Sequence, residues 1–220
     1  MNYTWDFSVI IKYWKAFVYG LMVTYQLTLW SLVFSTIIAL VMSFMAISNM
    51  RIIKGISKFY VELFRTIPSL VTLIWIYYAL PALFGFALEA QIAVIIGLSI
   101  CQSAYTTEVF RAGIESIPRG QMESARSVGM SHFLAMRRII LPQAVRILIP
   151  ALMNEFVGLL RWTSLASVLG VAEVIQRSNG IIASTYRPLE VYSAAALSYI
   201  VVALPVTQVA RRFEKRRKTK

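Results

Sequence analysis

Four polar residues recur at intervals of three within one long apolar run: Gln102, Tyr105, Glu108 and Arg111. On a helix, this spacing gives a polar stripe that drifts around the axis. If the run crosses a membrane, Arg111 can extend its long side chain to the surface. The Glu108 carboxylate is costly in lipid and is expected to face a protein interior or a cavity.

A second polar group lies in the next apolar run. Asn154, Gly158 and Arg161 are four and three residues apart and therefore share one helix face, and Glu155 is adjacent. Hydrogen bonding between helices is the favoured interpretation of Asn154 and Glu155. For Glu108 an internal ion pair, with Arg161 or Arg111, stays open as the alternative to a role in transport.

Catalytic and metal sites are not expected. Cys101 is the only cysteine, which excludes an intrachain disulfide and a cysteine-based metal cluster. His132 is the only histidine, so an intramembrane serine protease lacks a base within the apolar runs, and we assign His132 no role. The chain also has no G-x-x-x-x-G-K-[ST] phosphate loop, so it is not itself an ATPase.

The composition is that of a membrane protein. The 220 residues are 58% hydrophobic, with a mean hydropathy of +0.67, against about 45–50% apolar residues in soluble domains. The net charge of +12 would suggest nucleic acid on a soluble protein. Here the basic residues lie between and after apolar runs, so we expect them to orient the chain in a membrane and expect no nucleic-acid partner.

The apolar runs predict an all-α integral membrane protein with five transmembrane helices. The spans are predicted at about 17–47, 69–86, 92–112, 144–170 and 191–210. They form a single domain over 17–210, preceded by an interfacial segment at 1–16 and followed by a basic tail at 211–220. Proline fits the first turn of a helix, so Pro68 is expected to start or kink the second span. Residues 173–190 contain turn signals such as Asn179-Gly180.

Charge and side-chain size give further predictions. One side of the membrane receives 14 Lys and Arg residues in connections and tail, and the other receives 4. This bias places the amino terminus outside and the carboxyl terminus in the cytoplasm.

In the first span, a stripe of small polar residues predicts close packing with another helix: Thr24, Thr28, Ser31 and Ser35.

The largest cytoplasmic connection is the segment 114–142. It predicts two short helices, Gln121 to Met130 and His132 to Ile140, with Ser131 as the cap of the second. Gly129 is expected to end the first helix or to permit close backbone approach, and Pro142 to start the next span. Spacing alone leaves an ordinary solvated loop as an equal alternative.

The segment carries a resemblance to a known family. The pattern E-S-A-x3-G-x9-I-x-L-P, from Glu123 to Pro142, resembles the EAA signature of ABC importer permeases. Segments elsewhere in the chain resemble the polar amino-acid branch of that family, which includes histidine, glutamine and arginine permeases. They are Phe64-Arg65-x-x-Pro68, Ser103-Ala104-Tyr105, Arg111-Ala112-Gly113-Ile114, Leu141-Pro142-Gln143-Ala144, Pro150-Ala151-Leu152 and Thr163-Ser164-Leu165. The resemblance covers essentially the whole chain.

The resemblance implies a division of labour within the chain. Glu123, Ser124, Ala125 and Gly129 would form a coupling helix that contacts a pair of ATPase subunits, which bind ATP and Mg²⁺. Two departures stand out: Ser124 replaces an alanine, and Trp162 follows Arg161 where many relatives carry an acidic residue. Any contact assigned to that acid is not carried over.

By the same resemblance, the chain is expected to be the permease of an importer in the bacterial inner membrane. With a second permease subunit it would pass a polar or charged amino acid, or a related compound such as an opine, delivered by an extracytoplasmic binding protein. Candidate pathway residues are Glu108 first, then Gln102, Asn154, Glu155 and Arg161. A stand-alone secondary carrier or channel is the alternative, but we find no inverted repeat of the kind common in such carriers.

Overall fold

The computed structural model describes the backbone of residues 3–218 and the side chains of residues 3–213. This part of the chain is helical and contains no strand, which confirms the all-α prediction. The α-helices are α1 Ser8–Lys12, α2 Trp14–Ala46, α3 Arg51–Thr66, α4 Ser69–Phe84, α5 Ala90–Glu115, α6 Arg119–Ser127, α7 His132–Ala135, α8 Leu141–Trp162, α9 Val174–Thr185 and α10 Pro188–Lys218. A π-helical turn, Met136–Ile140, joins α7 to α8, and a 3₁₀ helix, Thr163–Leu169, follows α8.

Four helical segments of the described chain are long and apolar enough to cross a membrane: α2, α5, the run His132–Leu169 and α10 from Pro188 to Phe213. A fifth crossing exists only if α3 and α4 count as one broken span. α4 has 16 residues, whereas a typical span has about 20, so the helix at the predicted second span, 69–86, is shorter than a typical span.

The second span is broken because of its proline. Pro68 has no N–H to donate, and the residue before a proline is disfavoured in the helical region. Ile67 is accordingly extended, with φ −72° and ψ 130°, and the axes of α3 and α4 differ by 100°. The segment between the first two predicted spans, for which no helix was predicted, is mostly helix α3.

A second helix lies where turn signals predicted irregular chain. α9 passes through Asn179-Gly180 without a break, because packing outweighs the local turn preference of these residues. The Glu173 side chain accepts a hydrogen bond from the Gln176 N–H at 2.8 Å and caps the helix. The start of α9 also packs closely against α2. A β-carbon added to Gly20 of α2 would lie 2.9 Å from the Val174 Cα, so the backbones of α2 and α9 are almost in contact.

Helix α5 is the centre of the bundle and packs against α2, α3, α4 and α8. Residues such as Leu98, Cys101 and Ala104 are fully enclosed on it. The predicted small polar stripe of α2 is buried, at no more than 1% exposure, which agrees with a packing role. Ser31 and Ser99 approach each other there, with the Ser99 hydroxyl 3.4 Å from the Ser31 carbonyl oxygen.

Candidate functional site

The chain between α5 and α8 folds into two short helical pieces. Pro118 precedes α6, and Ser131 precedes α7 with its hydroxyl accepting a hydrogen bond from the Leu134 N–H at 3.2 Å. α7 then continues through the π-helical turn into α8, with Pro142 in the first turn. The predicted helix at 121–130 therefore exists as α6, shifted towards its amino end by two to three residues. The predicted segment 132–140 is helical but is continuous with α8, so the prediction that Pro142 starts a new helix is wrong.

Gly129 ends α6 through its backbone conformation. Its φ of +85° lies in the left-handed region, where glycine carries no steric penalty. The Met130 N–H donates to the Ala125 carbonyl and the Gly129 N–H to the Arg126 carbonyl, each at 3.1 Å. This pair of bonds is a Schellman motif. The glycine is therefore required by the turn itself, since no atom lies within 4 Å of where a β-carbon would stand.

Helix α6 presents one polar face to the surroundings. Glu123 and Ser124 are exposed, whereas Ala125 is 2% exposed and faces the protein. Met122 packs against a cluster that includes Ile117 and Ile140, which holds the helix against the ends of the spans. A partner that docks on α6 would thus meet Glu123 and Ser124, and a shift of α6 would be passed to the spans by its buried side.

Inside the bundle, the structure joins Gln102 of α5 to Glu155 of α8. The Gln102 amide nitrogen lies 2.6 Å from a Glu155 carboxylate oxygen and 3.3 Å from the Thr106 hydroxyl. Gln102 is 1% exposed and Glu155 is half-buried. Glu155 forms no ion pair with any residue that the structure describes. The site therefore holds a carboxylate supported by an amide, with no basic side chain beside it.

Glu108 has a different environment. The Arg111 guanidinium donates to both of its carboxylate oxygens, at 2.7 and 3.2 Å, and Arg65 lies 3.9 Å away. Arg111 also contacts Glu115 at 2.6 Å. The internal ion pair considered for Glu108 thus forms with Arg111, and Arg161 makes no ion pair with Glu108. The Glu108 charge is compensated within this chain.

Asn154 and Arg161 are not brought to either carboxylate. Both are exposed on α8, on the face that their spacing predicts, and the Arg161 Nε donates to the Val157 carbonyl of its own helix at 3.3 Å. A polar face in a span is not stable against lipid. This face therefore has to meet water or another protein.

Three groups at this site escape prediction from the sequence. Trp162 stands edge-on to Tyr105, with ring centroids 5.3 Å apart, and Arg65 lies over the Tyr105 ring at 5.4 Å. Tyr60 donates to, or accepts from, the Ser103 hydroxyl at 2.6 Å. Arg65 and Tyr60 come from α3, a helix that the sequence analysis does not predict, so no helical spacing indicated that they face α5.

Comparisons with known proteins point in one direction. The family described as "Binding-protein-dependent transport system inner membrane component" matches residues 35–219. The chain is 38% identical to the probable amino-acid ABC transporter permease protein PatM of Vibrio harveyi over 93% of this chain and 92% of that protein. It is 33% identical to the arginine transport system permease protein ArtQ of Bacillus subtilis (strain 168), over 97% and 98%.

A solved structure has the same fold. The crystal structure of an amino acid ABC transporter with histidines contains a chain that superposes with a TM-score of 0.91 at 37% identity, covering 97% of this chain and all of that one.

Proposed function

This chain belongs to the family of binding-protein-dependent transport system inner membrane components, and on that basis we propose how its two polar regions work. The chain is the permease subunit of an ATP-binding-cassette importer of the bacterial inner membrane. The proposed substrate is a polar or charged amino acid, which an extracytoplasmic binding protein delivers. Hydrolysis of ATP takes place on separate ATPase subunits, which bind the nucleotide and Mg²⁺.

The observation that carries the proposal is the polar face of α8. Asn154 and Arg161 are exposed on a membrane-length helix, and Glu155 beside them forms no ion pair with a described residue. Lipid cannot cover such a face at low cost. A second permease subunit, identical or different, would enclose it and form a polar pathway between the two chains. We assign the carboxylate of Glu155 to the ammonium or guanidinium group of the substrate and Arg161 to its carboxylate.

The orientation of the chain in the membrane follows from the distribution of its Lys and Arg residues. With 14 basic residues on the side of α6 and the carboxyl tail, that side is cytoplasmic and the amino terminus is outside. In this orientation α6 is the coupling helix. Glu123, Ser124 and Gly129 are exposed and form the contact with the ATPase, whereas Ala125 is buried and packs α6 against the rest of the chain. Closure of the ATPase pair would move α6 and switch access to the pathway between the two sides of the membrane, which is two-state alternating access.

The test is uptake by the purified transporter in liposomes. The chain is tagged and purified with the subunits that accompany it, and labelled amino acids are offered with the cognate binding protein. We expect uptake that requires ATP on the ATPase side and persists when the proton gradient is abolished. Uptake driven by a proton gradient in the absence of any ATPase would instead identify a secondary carrier and refute the proposal.

The pathway assignment is tested by a matched pair of variants, Glu155→Gln and Glu108→Gln. A hydrogen bond to a charged group contributes about 1.5–3 kcal/mol, so Glu155→Gln should raise the KM for a cationic amino acid by about ten-fold or more. Glu108→Gln removes one of the two carboxylate partners of Arg111 and should lower stability more than it alters KM. The reverse outcome would return the pathway role to Glu108.

A further inference from the structure

Helix α3 has three distinct sides, and only one of them is covered by protein. Ser57 and Val61 are buried against α2 and α5, and the Tyr60 hydroxyl bonds to the α5 backbone at Ile100. A second side carries an apolar stripe with exposures between 37% and 77%. Its members follow one another by four, three and four residues: Ile52, Ile56, Phe59 and Leu63.

The third side of α3 is basic. Arg51, Lys54, Lys58 and Arg65 project there, and at about 100° per residue this side lies roughly 140° around the helix from the apolar stripe. Lys58 is only loosely paired with Glu62, at 3.7 Å with both side chains well exposed. Within the described chain, Arg51 and Lys54 form no ion pair.

The depth of α3 is set by its contacts with the first span. The Ser57 hydroxyl donates to the Met42 carbonyl at 2.8 Å, and α2 ends four residues later at Ala46. At 1.5 Å per residue, this places the Ser57 contact about 6 Å from the end of α2, measured along its axis. Amphipathic helices that lie in a membrane surface bury their apolar face to about 5–10 Å. The abrupt bend at Pro68 turns α3 away from the axis of α4.

We propose that α3 is an interfacial helix that selectively binds anionic phospholipid of the cytoplasmic leaflet. The apolar stripe lies among the acyl chains, and Lys54 and Lys58 hold the headgroup phosphate. The two lysines line a cavity of about 360 Å³ between α3 and α5, and its other charged residues are Arg65, Arg111, Glu62, Glu108 and Glu115. A bound headgroup would thus lie beside the Glu108–Arg111 ion pair. The proposal rests on the orientation given under the proposed function.

Charge complementarity selects the occupant. A zwitterionic lipid or a second copy of this chain would also cover apolar side chains, but neither accounts for four basic residues on a separate side of the same helix. The negative surface of the cytoplasmic leaflet attracts each nearby Lys or Arg by about 1 kcal/mol. This corresponds to about five-fold in association for each lysine. Loss of both lysines should therefore reduce the preference for anionic lipid by up to about thirty-fold.

The first experiment measures lipid selectivity directly. The full transporter is reconstituted, and the association of spin-labelled phosphatidylglycerol is compared with that of spin-labelled phosphatidylcholine. We expect Lys54→Gln combined with Lys58→Gln to lose most of the preference for phosphatidylglycerol. The control is Lys12→Gln combined with Lys15→Gln, which removes the same charge from two exposed residues far from α3. Unchanged selectivity in the α3 variant, or equal loss in the control, overturns the proposal.

The second experiment identifies what covers the apolar stripe. A spin label at Phe59→Cys should be reached by oxygen from the lipid phase, and a label at Lys54→Cys by a water-soluble nickel complex. The native Cys101 is buried and should not react. A Phe59 label that neither reagent reaches would show that a second protein chain covers the stripe, and would refute lipid binding. Neither readout needs transport, so failure here is distinct from failure of the proposed function.

Discussion

Replacement of Gly129 tests whether the geometry at the end of α6 is needed for coupling. The residue has a φ of +85°, and α6 ends in the two hydrogen bonds from Gly129 and Met130. A left-handed conformation costs an ordinary L-residue about 1–2 kcal/mol. A β-branched side chain is the most restricted. We therefore expect Gly129→Val to weaken the capped conformation by about 5- to 30-fold.

The measurement is substrate-stimulated ATP hydrolysis together with uptake by the reconstituted transporter. Both should fall in Gly129→Val, while the unstimulated ATPase rate stays closer to that of the wild type. Gly129→Asn is the conformational control, since asparagine enters the left-handed region more readily than other residues with a side chain, and it should retain most of the coupling. Gly120→Val is the positional control, because Gly120 lies within α6 with a negative φ and open space around it.

Two results would refute this reasoning. Wild-type uptake and stimulation in Gly129→Val would show that the end of α6 has no part in coupling. An equally large loss in Gly129→Asn would show that bulk, and not backbone conformation, is what position 129 excludes. The space around Gly129 in the single chain is empty, so in that case the obstructing surface would belong to the partner ATPase.

Three further changes test the packing around these regions by thermal unfolding. Gly20→Ala should lower the midpoint because the new methyl group meets the Val174 backbone at 2.9 Å, whereas Gly158→Ala, with no atom within 4 Å, should not. Ser131→Ala should cost about 1 kcal/mol by removing the cap of α7. Burial raises the pKa of Glu173, which lies outside the spans. The contribution of Glu173 to the free energy of unfolding is therefore fully present below the ordinary pKa of a glutamate, and it falls as pH rises through the raised pKa of the folded protein. Glu173→Gln should therefore gain on the wild type as pH rises from about 4 to 8.

The amino-acid sequence predicts the long helices well because their signal is local. α2, α5 and α10 each contain an apolar run long enough to cross a bilayer, and no distant contact is needed to recognise it. α3 and α9 were missed for the opposite reason. α3 carries charges between two apolar runs, and α9 contains the turn signal Asn179-Gly180. Both helices are stabilised by contacts with α2. The structure alone shows those contacts.

Contacts of polar residues within one helix could be predicted from the sequence, whereas contacts between two helices could not. The Glu108–Arg111 ion pair spans three residues on one helix, and the sequence analysis could name it as an alternative. The Gln102–Glu155 bond joins residues 53 apart, and it depends on how α5 and α8 pack against each other. Spacing shows that Asn154 and Arg161 share a face. It does not show that this face stays uncovered when the chain folds.

The uncovered polar face of α8 bears most directly on function. Glu108 ranked first among the pathway residues on sequence grounds, because it is an acid deep in a span. In the structure Arg111 holds both of its oxygens, so a substrate ammonium would have to compete with a bidentate guanidinium. Glu155 meets only an amide and lies beside the exposed face of α8. A carboxylate that an amide holds in place, with no ion-pair partner among the described residues, is the better ligand for a cation, and we therefore propose Glu155 ahead of Glu108 as the pathway carboxylate.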